Sequence, residues 1–253
     1  MSKGHSLMAL ILFLASFVGI FLGLLGGGGS ILTVPLLVYV ADVDEKSAIA
    51  MSLMIVGITA AFAAIGHARK GNVRWKIGLI FSVGGMTGAF FGGKLGAMLD
   101  PMLLMVLFAL MMLVTGIAMW RPKKEVNGKG ELSIGLALLE GFGVGIVTGL
   151  VGAGGGFLVV PALAILGGLE MREAVGTSLL VIALKSGAGF LGYASSDAVH
   201  VDYTLAAYVT VAAVLGSFVG ARFASNIDQK KLRKGFSVFV LVMGVVVLAK
   251  QFL

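Results

Sequence analysis

Residues 23–35 read GLLGGGGSILTVP, and residues 149–161 read GLVGAGGGFLVVP. Each is a glycine cluster inside apolar sequence, closed by a proline, and the two lie 126 positions apart. Consecutive glycines disfavour a helix by roughly 1 kcal/mol each relative to alanine, so each cluster interrupts the helix that leads into it. In a bilayer, backbone released from helical hydrogen bonding persists only where protein or a polar cavity satisfies it. Paired helix breaks of this kind form the substrate sites of many secondary transporters, near the membrane midplane.

The membrane setting follows from composition. Hydrophobic residues make up 58% of the 253-residue chain and charged residues 12%, with a mean hydropathy of +1.06. That is far from a soluble globular domain. A chain of this length is one membrane domain with no room for a soluble catalytic module, so it is read as a non-enzyme without catalytic residues. The net charge of +7 arises from short basic clusters between apolar spans. They read as cytoplasmic anchors and argue against a nucleic-acid partner, which needs a folded basic face. There are no cysteines, and His5, His67 and His200 lie in separate regions without metal spacing, so neither metal nor cofactor is expected. The apolar run after His5 imitates a signal peptide, but it aligns with an internal helix of the second half and reads as a retained span.

Eight apolar stretches are long enough to cross a hydrocarbon core of about 30 Å, which takes about 20 helical residues. They run from Ser6 to Gly26, Ala48 to Gly66, Val73 to Met98, Met102 to Trp120, Leu132 to Gly152, Ala174 to Ala194, Val201 to Ala224 and Lys234 to Phe252. Two shorter segments, Ile31 to Ala41 and Phe157 to Leu166, directly follow the glycine clusters. The one extended polar connector separates a first repeat (1–121) from a second (132–253), with residues 122–131 as a cytoplasmic linker.

The duplication runs through both halves. At the offset of 126, Ala48, Ser52, Leu53 and Gly66 match Ala174, Ser178, Leu179 and Gly192. After a two-residue insertion, Gly88, Gly92, Asp100 and Gly116 match Gly216, Gly220, Asp228 and Gly244. Charge then orients the halves. Arg69, Lys70, Arg74 and Lys76, then Arg121, Lys123, Lys124 and Lys129, and finally Arg222, Lys230, Lys231 and Arg233 mark three loops as cytoplasmic. All three fall inside only if each short segment folds back to the side from which it came. The expected fold is therefore an all-α integral membrane protein of two inverted repeats. Each has four transmembrane helices plus a short re-entrant half-helix after a glycine-rich break.

Other glycines read as packing. Gly84, Gly88, Gly92 and Gly96 recur at every fourth position, echoed by Ala212, Gly216, Gly220 and Ala224. Gly141, Gly145 and Gly149 form a similar face, echoed by Ala15, Gly19 and Gly23. Small residues on one face let helix backbones approach closely in lipid. Tyr193, Tyr203 and Trp75, near span ends, read as interfacial anchors.

The clusters themselves read as a substrate site. The first N–H groups of each short helix lack intrahelical partners and point back at the glycine turn, and Pro35 and Pro161 suit a first helical turn. Two such termini converging on the midplane favour an oxyanion over a cation. The substrate-binding set is therefore Gly26, Gly27, Gly28, Gly29 and Ser30 with Gly152, Ala153, Gly154, Gly155 and Gly156. Ser52, Ser178 and Thr177 join it as hydroxyls that follow the short helices; bonding back to their own helix is the structural alternative. Lys185 and Glu140 are ionisable groups inside apolar spans, where function is the default reading. Lys185 complements the anion and Glu140 carries a coupling proton, unless the two form a structural pair. Their counterparts in the first repeat are Thr59 and Leu14.

The doubled Gly-x-Gly-Gly-Gly-x-x-x-x-Pro pattern of residues 152–161, with the Ala-Val-Gly-Thr-Ser-Leu that begins at Ala174, resembles the TauE/SafE sulfite exporter family. The resemblance covers nearly the whole chain; Met51 and Gly27 depart from the second half's Thr177 and Ala153. It implies a multi-pass protein of the bacterial inner membrane that carries sulfur oxyanions or organosulfonates such as sulfite or sulfoacetate. The expected function is secondary transport by alternating access, coupled to protons, with a small anion and the lipid bilayer as partners. A passive anion channel and a non-transport scaffold are the alternatives. Oligomeric state is left open.

Overall fold

The computed structural model describes residues 2–120, 134–152, 154–165, 168–223 and 229–252. Among these every regular element is helical. The linker 122–131, Ala153 and Asp228 lie outside the described residues.

In the first half, α1 (Ser2–Leu25) stops at the glycine cluster, a 3-10 turn (Gly28–Leu32) follows, and α2 (Thr33–Tyr39) is short. Then come α3 (Glu45–Arg69), α4 (Trp75–Met98) and α5 (Pro101–Trp120). The second half repeats the order with α6 (Ile134–Val151), the short α7 (Gly156–Ile165), α8 (Met171–Ala194), α9 (Tyr203–Phe223) and α10 (Gln229–Ala249). Asp44 caps α3, its Oδ1 accepting from the Ser47 N–H at 3.0 Å.

Both expected breaks are present. Pro35 is the third residue of α2, as a first-turn proline should be, but Pro161 is the sixth of α7. The two halves differ because Ser30 occupies the position equivalent to Gly156. Its hydroxyl donates to the Gly27 carbonyl at 2.6 Å, and its N–H bonds the same carbonyl at 3.2 Å. That closes a 3-10 turn before α2 starts, whereas α7 begins at once.

Among the described residues eight long helices correspond to the eight expected spans, but six combine the length and hydropathy to cross a membrane: α1, α3, α5, α6, α8 and α9. Helix α4 is also 24 residues long, and its glycines and Lys94 lower its hydropathy. The apolar part of α10, Lys234–Ala249, is shorter.

The packing is reciprocal between the halves. Helix α4 lies chiefly against α6 and α8, α1 against α9, α3 against α8, and α5 against α10. The small-residue faces make these contacts. A Cβ on Gly84, Gly88 or Gly92 would strike the carbonyls of Leu138, Phe142 and Ile146 in α6, and one on Gly141, Gly145 or Gly149 would strike Phe81, Gly85 and Ala89 in α4. Gly19 and Gly23 meet Ala213 and Ser217 of α9 in the same manner, while Gly216 and Gly220 meet Ser16 and Ile20 of α1. Backbone-to-backbone contact of this kind drives helix association where lipid removes the hydrophobic incentive.

Loop contacts sort into two ends. At one, Lys46 Nζ donates to the Ala97 carbonyl (3.0 Å) and the His200 N–H donates to Ser47 Oγ (2.8 Å). Leu7, Met8, Ala41, Asp202 and Thr204 line a common cavity of about 250 Å³ at that end. At the other, Arg74 pairs with Glu173 at 2.5 Å, and the Asn72 carbonyl lies against Gly176.

Candidate functional site at the paired glycine breaks

The break in each half depends on glycine's access to left-handed backbone. Gly26 and Gly27 have φ of 64° and 116°, and Gly152, Gly154 and Gly155 have 72°, 59° and 61°. Such angles cost an L-residue about 1–2 kcal/mol.

The structure brings the two breaks together. A Cβ on Gly27 would lie 2.5 Å from the Gly156 Cα, and one on Gly154 would lie 3.1 Å from the Ser30 Cβ. Ile182 of α8 covers the junction, its Cδ1 2.6 Å from the Cβ positions of both Gly27 and Gly156. Hydroxyls then tie each break to the opposite half. Ser178 Oγ donates to the Gly26 carbonyl at 3.0 Å, and Ser52 Oγ donates to the Gly152 carbonyl. The two bonds sit at equivalent places, since both serines and both glycines are 126 positions apart, and the Ser178 hydroxyl also bonds back to the Val175 carbonyl of its own helix at 2.8 Å. They satisfy carbonyls that the ended helices leave without partners.

Lys185 enters this junction from α8. It is 1% exposed, and its stem rests on α4, where a Cβ on Gly85 would lie 3.7 Å from the Lys185 Cβ. Its Nζ donates to Thr148 Oγ1 at 3.0 Å, and Thr148 passes its own proton to the Val144 carbonyl at 2.8 Å. A Cβ on Gly155 would lie 2.6 Å from the Lys185 Nζ, so the ammonium sits directly at the start of α7.

The alternative reading, a structural pair of Lys185 with Glu140, does not form. Among the described residues the one ion pair is Arg74–Glu173, at the end of the molecule, where the carboxylate holds the guanidinium above its ordinary value. Glu140 is half-buried on α6, with Oε2 enclosed and unpartnered. Among the other expected residues, Gly29 packs against Leu22 of α1 and Gly28 begins the 3-10 turn. Thr177 is drawn elsewhere: its Oγ1 accepts from the Arg74 N–H at 2.9 Å, anchoring the start of α4. No cluster of metal-ligating side chains occurs among the described residues.

Two residues of the junction escaped the sequence reading. Thr148 has Leu22 as its counterpart, so the duplication did not mark it; its position one turn before Gly152 was the available signal. Tyr193 is no interfacial anchor. It is fully buried, and its hydroxyl donates to the Leu150 carbonyl at 2.5 Å, near the end of α6. Tyr203 and Trp75 are 65% and 55% exposed, as anchors would be.

A chain of apolar helices, interrupted twice and folded so that the interruptions touch, has the architecture of a multi-pass membrane transporter. The family model for the sulfite exporter TauE/SafE matches residues 11–247, and the chain belongs to that family. It is 35% identical over 239 residues to a probable membrane transporter protein of Xylella fastidiosa, covering 91% of each chain. It is 30% identical over 248 residues to the probable membrane transporter protein YdhB of Bacillus subtilis, covering 96% of this chain and 99% of the relative. A probable membrane transporter protein of Methanocaldococcus jannaschii is 27% identical over 256 residues, with 96% of each chain covered. No solved structure matches the chain. The family and these relatives identify a multi-pass membrane transporter.

Proposed function

We propose that this chain is a secondary transporter of small sulfur-containing oxyanions, sulfite or an organosulfonate, working by alternating access with proton coupling. The observation that carries the reading is the junction itself: Lys185 Nζ, almost fully enclosed and without a carboxylate partner among the described residues, lies at the start of α7. A buried ammonium is costly unless something compensates it, and a helix N-terminus prefers an anion. Substrate supplies the missing charge. The glycine clusters provide backbone donors and the tight backbone approach around it, while the hydroxyls of Ser30, Ser52, Ser178 and Thr148 donate to neighbouring carbonyls and hold the breaks in shape. Because Gly27 and Gly156 are in contact, an anion enters only when the halves part, which suits alternating access better than an open channel.

The halves 1–121 and 132–253 act as inverted repeats in this scheme. Helix α4 runs parallel to α6, since Gly84, Gly88 and Gly92 meet Leu138, Phe142 and Ile146 in ascending order. Glu173, which follows α7, pairs with Arg74 at the start of α4, so α7 returns to the end where α6 began. Leu7 and Ala41 share a cavity at the opposite end, so α2 likewise returns to where α1 began. Both observations support re-entrant short helices and two halves of opposite sense. Glu140, on the helix leading to the second break, is the proton carrier. Bacterial inner membrane is the expected location.

The test is uptake into proteoliposomes of sulfite, sulfoacetate, sulfate, taurine and chloride at two pH values. Saturable flux of a sulfur oxyanion that accelerates with a proton gradient is expected. Equal, non-saturating flux of all anions would replace the transporter with a channel, and no flux of any would leave a scaffold.

A further inference from the structure

We infer that the site selects singly charged oxyanions and discriminates against dianions of the same size and shape. The inference rests on the anion site just proposed and adds the charge of what occupies it. Lys185 is the one basic side chain brought to the junction of the breaks among the described residues, and Thr148 Oγ1 is its one protein partner. An ammonium has three donors, so two remain for a ligand at the start of α7. The other side chains at the junction, Ser30, Ser52, Thr148, Ser178 and Ile182, are neutral.

The partial charges do not make up a second cation. Helix α7 has ten residues and begins at Gly156, so it presents free N–H groups and the positive end of its dipole, equivalent to about half a charge. The first half contributes less. Ser30 folds its break into a 3-10 turn whose Ser30 N–H and Oγ–H both end on the Gly27 carbonyl, and α2 has seven residues. With Lys185 protonated, the junction therefore offers one full positive charge and roughly half another.

Desolvation decides the outcome. The cost of taking an ion out of water grows with the square of its charge, whereas its attraction to one ammonium grows only linearly. Doubling the ligand's charge raises the penalty fourfold and the return twofold. Among the described residues no Arg fork that would favour a doubly charged ligand stands at the junction. Among sulfur oxyanions this favours hydrogensulfite and simple alkanesulfonates over sulfate, the sulfite dianion and sulfoacetate.

Methanesulfonate and sulfate make a direct test, being tetrahedral, close in size, and singly and doubly charged at neutral pH. Binding of each to the purified, lipid-reconstituted full chain is measured by calorimetry at one pH and constant ionic strength. The expected result is at least tenfold tighter binding of methanesulfonate, lost in Lys185→Met protein whose thermal melt shows it folded. Sulfate binding as tightly as methanesulfonate would overturn the charge selection while leaving the anion site in place. Binding of neither ligand, nor of sulfite, would instead remove the anion site and this inference with it. The wild-type ratio decides the matter even if the variant does not fold.

Discussion

Lys185 is where stability and function separate most sharply. The side chain is enclosed, rests on Gly85 and Gly155, and has Thr148 as its one hydrogen-bond partner among the described residues. Lys185→Met keeps most of the stem and removes the charge. Transport should fall at least a hundredfold, with thermal stability unchanged or raised, because a buried unpaired charge is replaced by an apolar group of similar length. A loss of stability with transport retained would show the ammonium to be structural. Glu140→Gln should flatten the pH dependence of uptake with little effect on affinity, and an unaltered pH profile in proteoliposomes would exclude it as the proton carrier. Gly155 is more demanding than Lys185. With φ at 61°, and with Thr148 and Lys185 against its Cβ position, even Gly155→Ala should cost about 1–2 kcal/mol. It should also abolish uptake, and a Leu there should compromise folding itself, read as a fall in detergent melting temperature.

At the scale of elements, the two helix breaks are held by bonds that cross between the halves. Ser52 satisfies the Gly152 carbonyl and Ser178 satisfies the Gly26 carbonyl. Removing one hydroxyl leaves a buried carbonyl unpaired, a loss of about 1–3 kcal/mol. Ser52→Ala and Ser178→Ala should therefore destabilise by similar amounts, and thermal melts of the two variants check the equivalence. A large effect from one and none from the other would show that the breaks are not held alike. Tyr193→Phe is a companion case, since its hydroxyl holds the Leu150 carbonyl just ahead of the second break. It should cost about 1 kcal/mol and slow transport by loosening the end of α6. The glycine faces act differently, by allowing contact. Gly88→Leu would drive a side chain into the Phe142 carbonyl and part α4 from α6, so it should prevent assembly, seen as aggregation in detergent.

The whole molecule is two similar halves that complete each other. Each half's first helix packs on the other half's third, and each half's hydroxyls close the other's break. Neither half is expected to be stable alone, since the buried faces of α1 and α6 lie against partners from the opposite half. The orientation in the membrane can be read with single cysteines, added without background because the chain has none. A membrane-impermeant thiol reagent should reach Ser2→Cys and Gln251→Cys from the outside and Asn72→Cys from the cytoplasm. Labelling of Ser2→Cys from the cytoplasm alone would contradict the inverted arrangement. The Tyr39 hydroxyl accepts a bond from Gln251 Nε2 at 3.4 Å, which places the end of α2 beside the C-terminal end of α10. Both positions should therefore label from one side.

Local patterns carry a great deal in this chain. Apolar run length and a repeat offset of 126 were enough for an all-helical membrane protein with two breaks, because hydropathy and glycine content act through covalently adjacent residues. Small residues at every fourth position likewise foretold the close helix pairs, since the period of a helix puts them on one face. Which helix meets which is a different kind of information. That α4 faces α6 while α1 faces α9, and that Gly27 touches Gly156, follows from how two complete halves interlock. The same holds for side chains that lack a symmetry mate. Tyr193 reaches the Leu150 carbonyl, and Lys185 reaches Thr148 while Glu140 is left unpartnered, only because α8 packs beside α6 and α4. Thr177 also lacks a symmetry mate, Met51 standing in its place; it was expected in the site beside Ser178, and the loop before α4 claims its hydroxyl through the Arg74 N–H. Sequence alone determined that this chain would break its helices twice in the membrane. Only the tertiary structure decided that the two breaks touch and that the Lys185 amine lies against the second, because that depends on contacts between residues from 30 to more than a hundred positions apart.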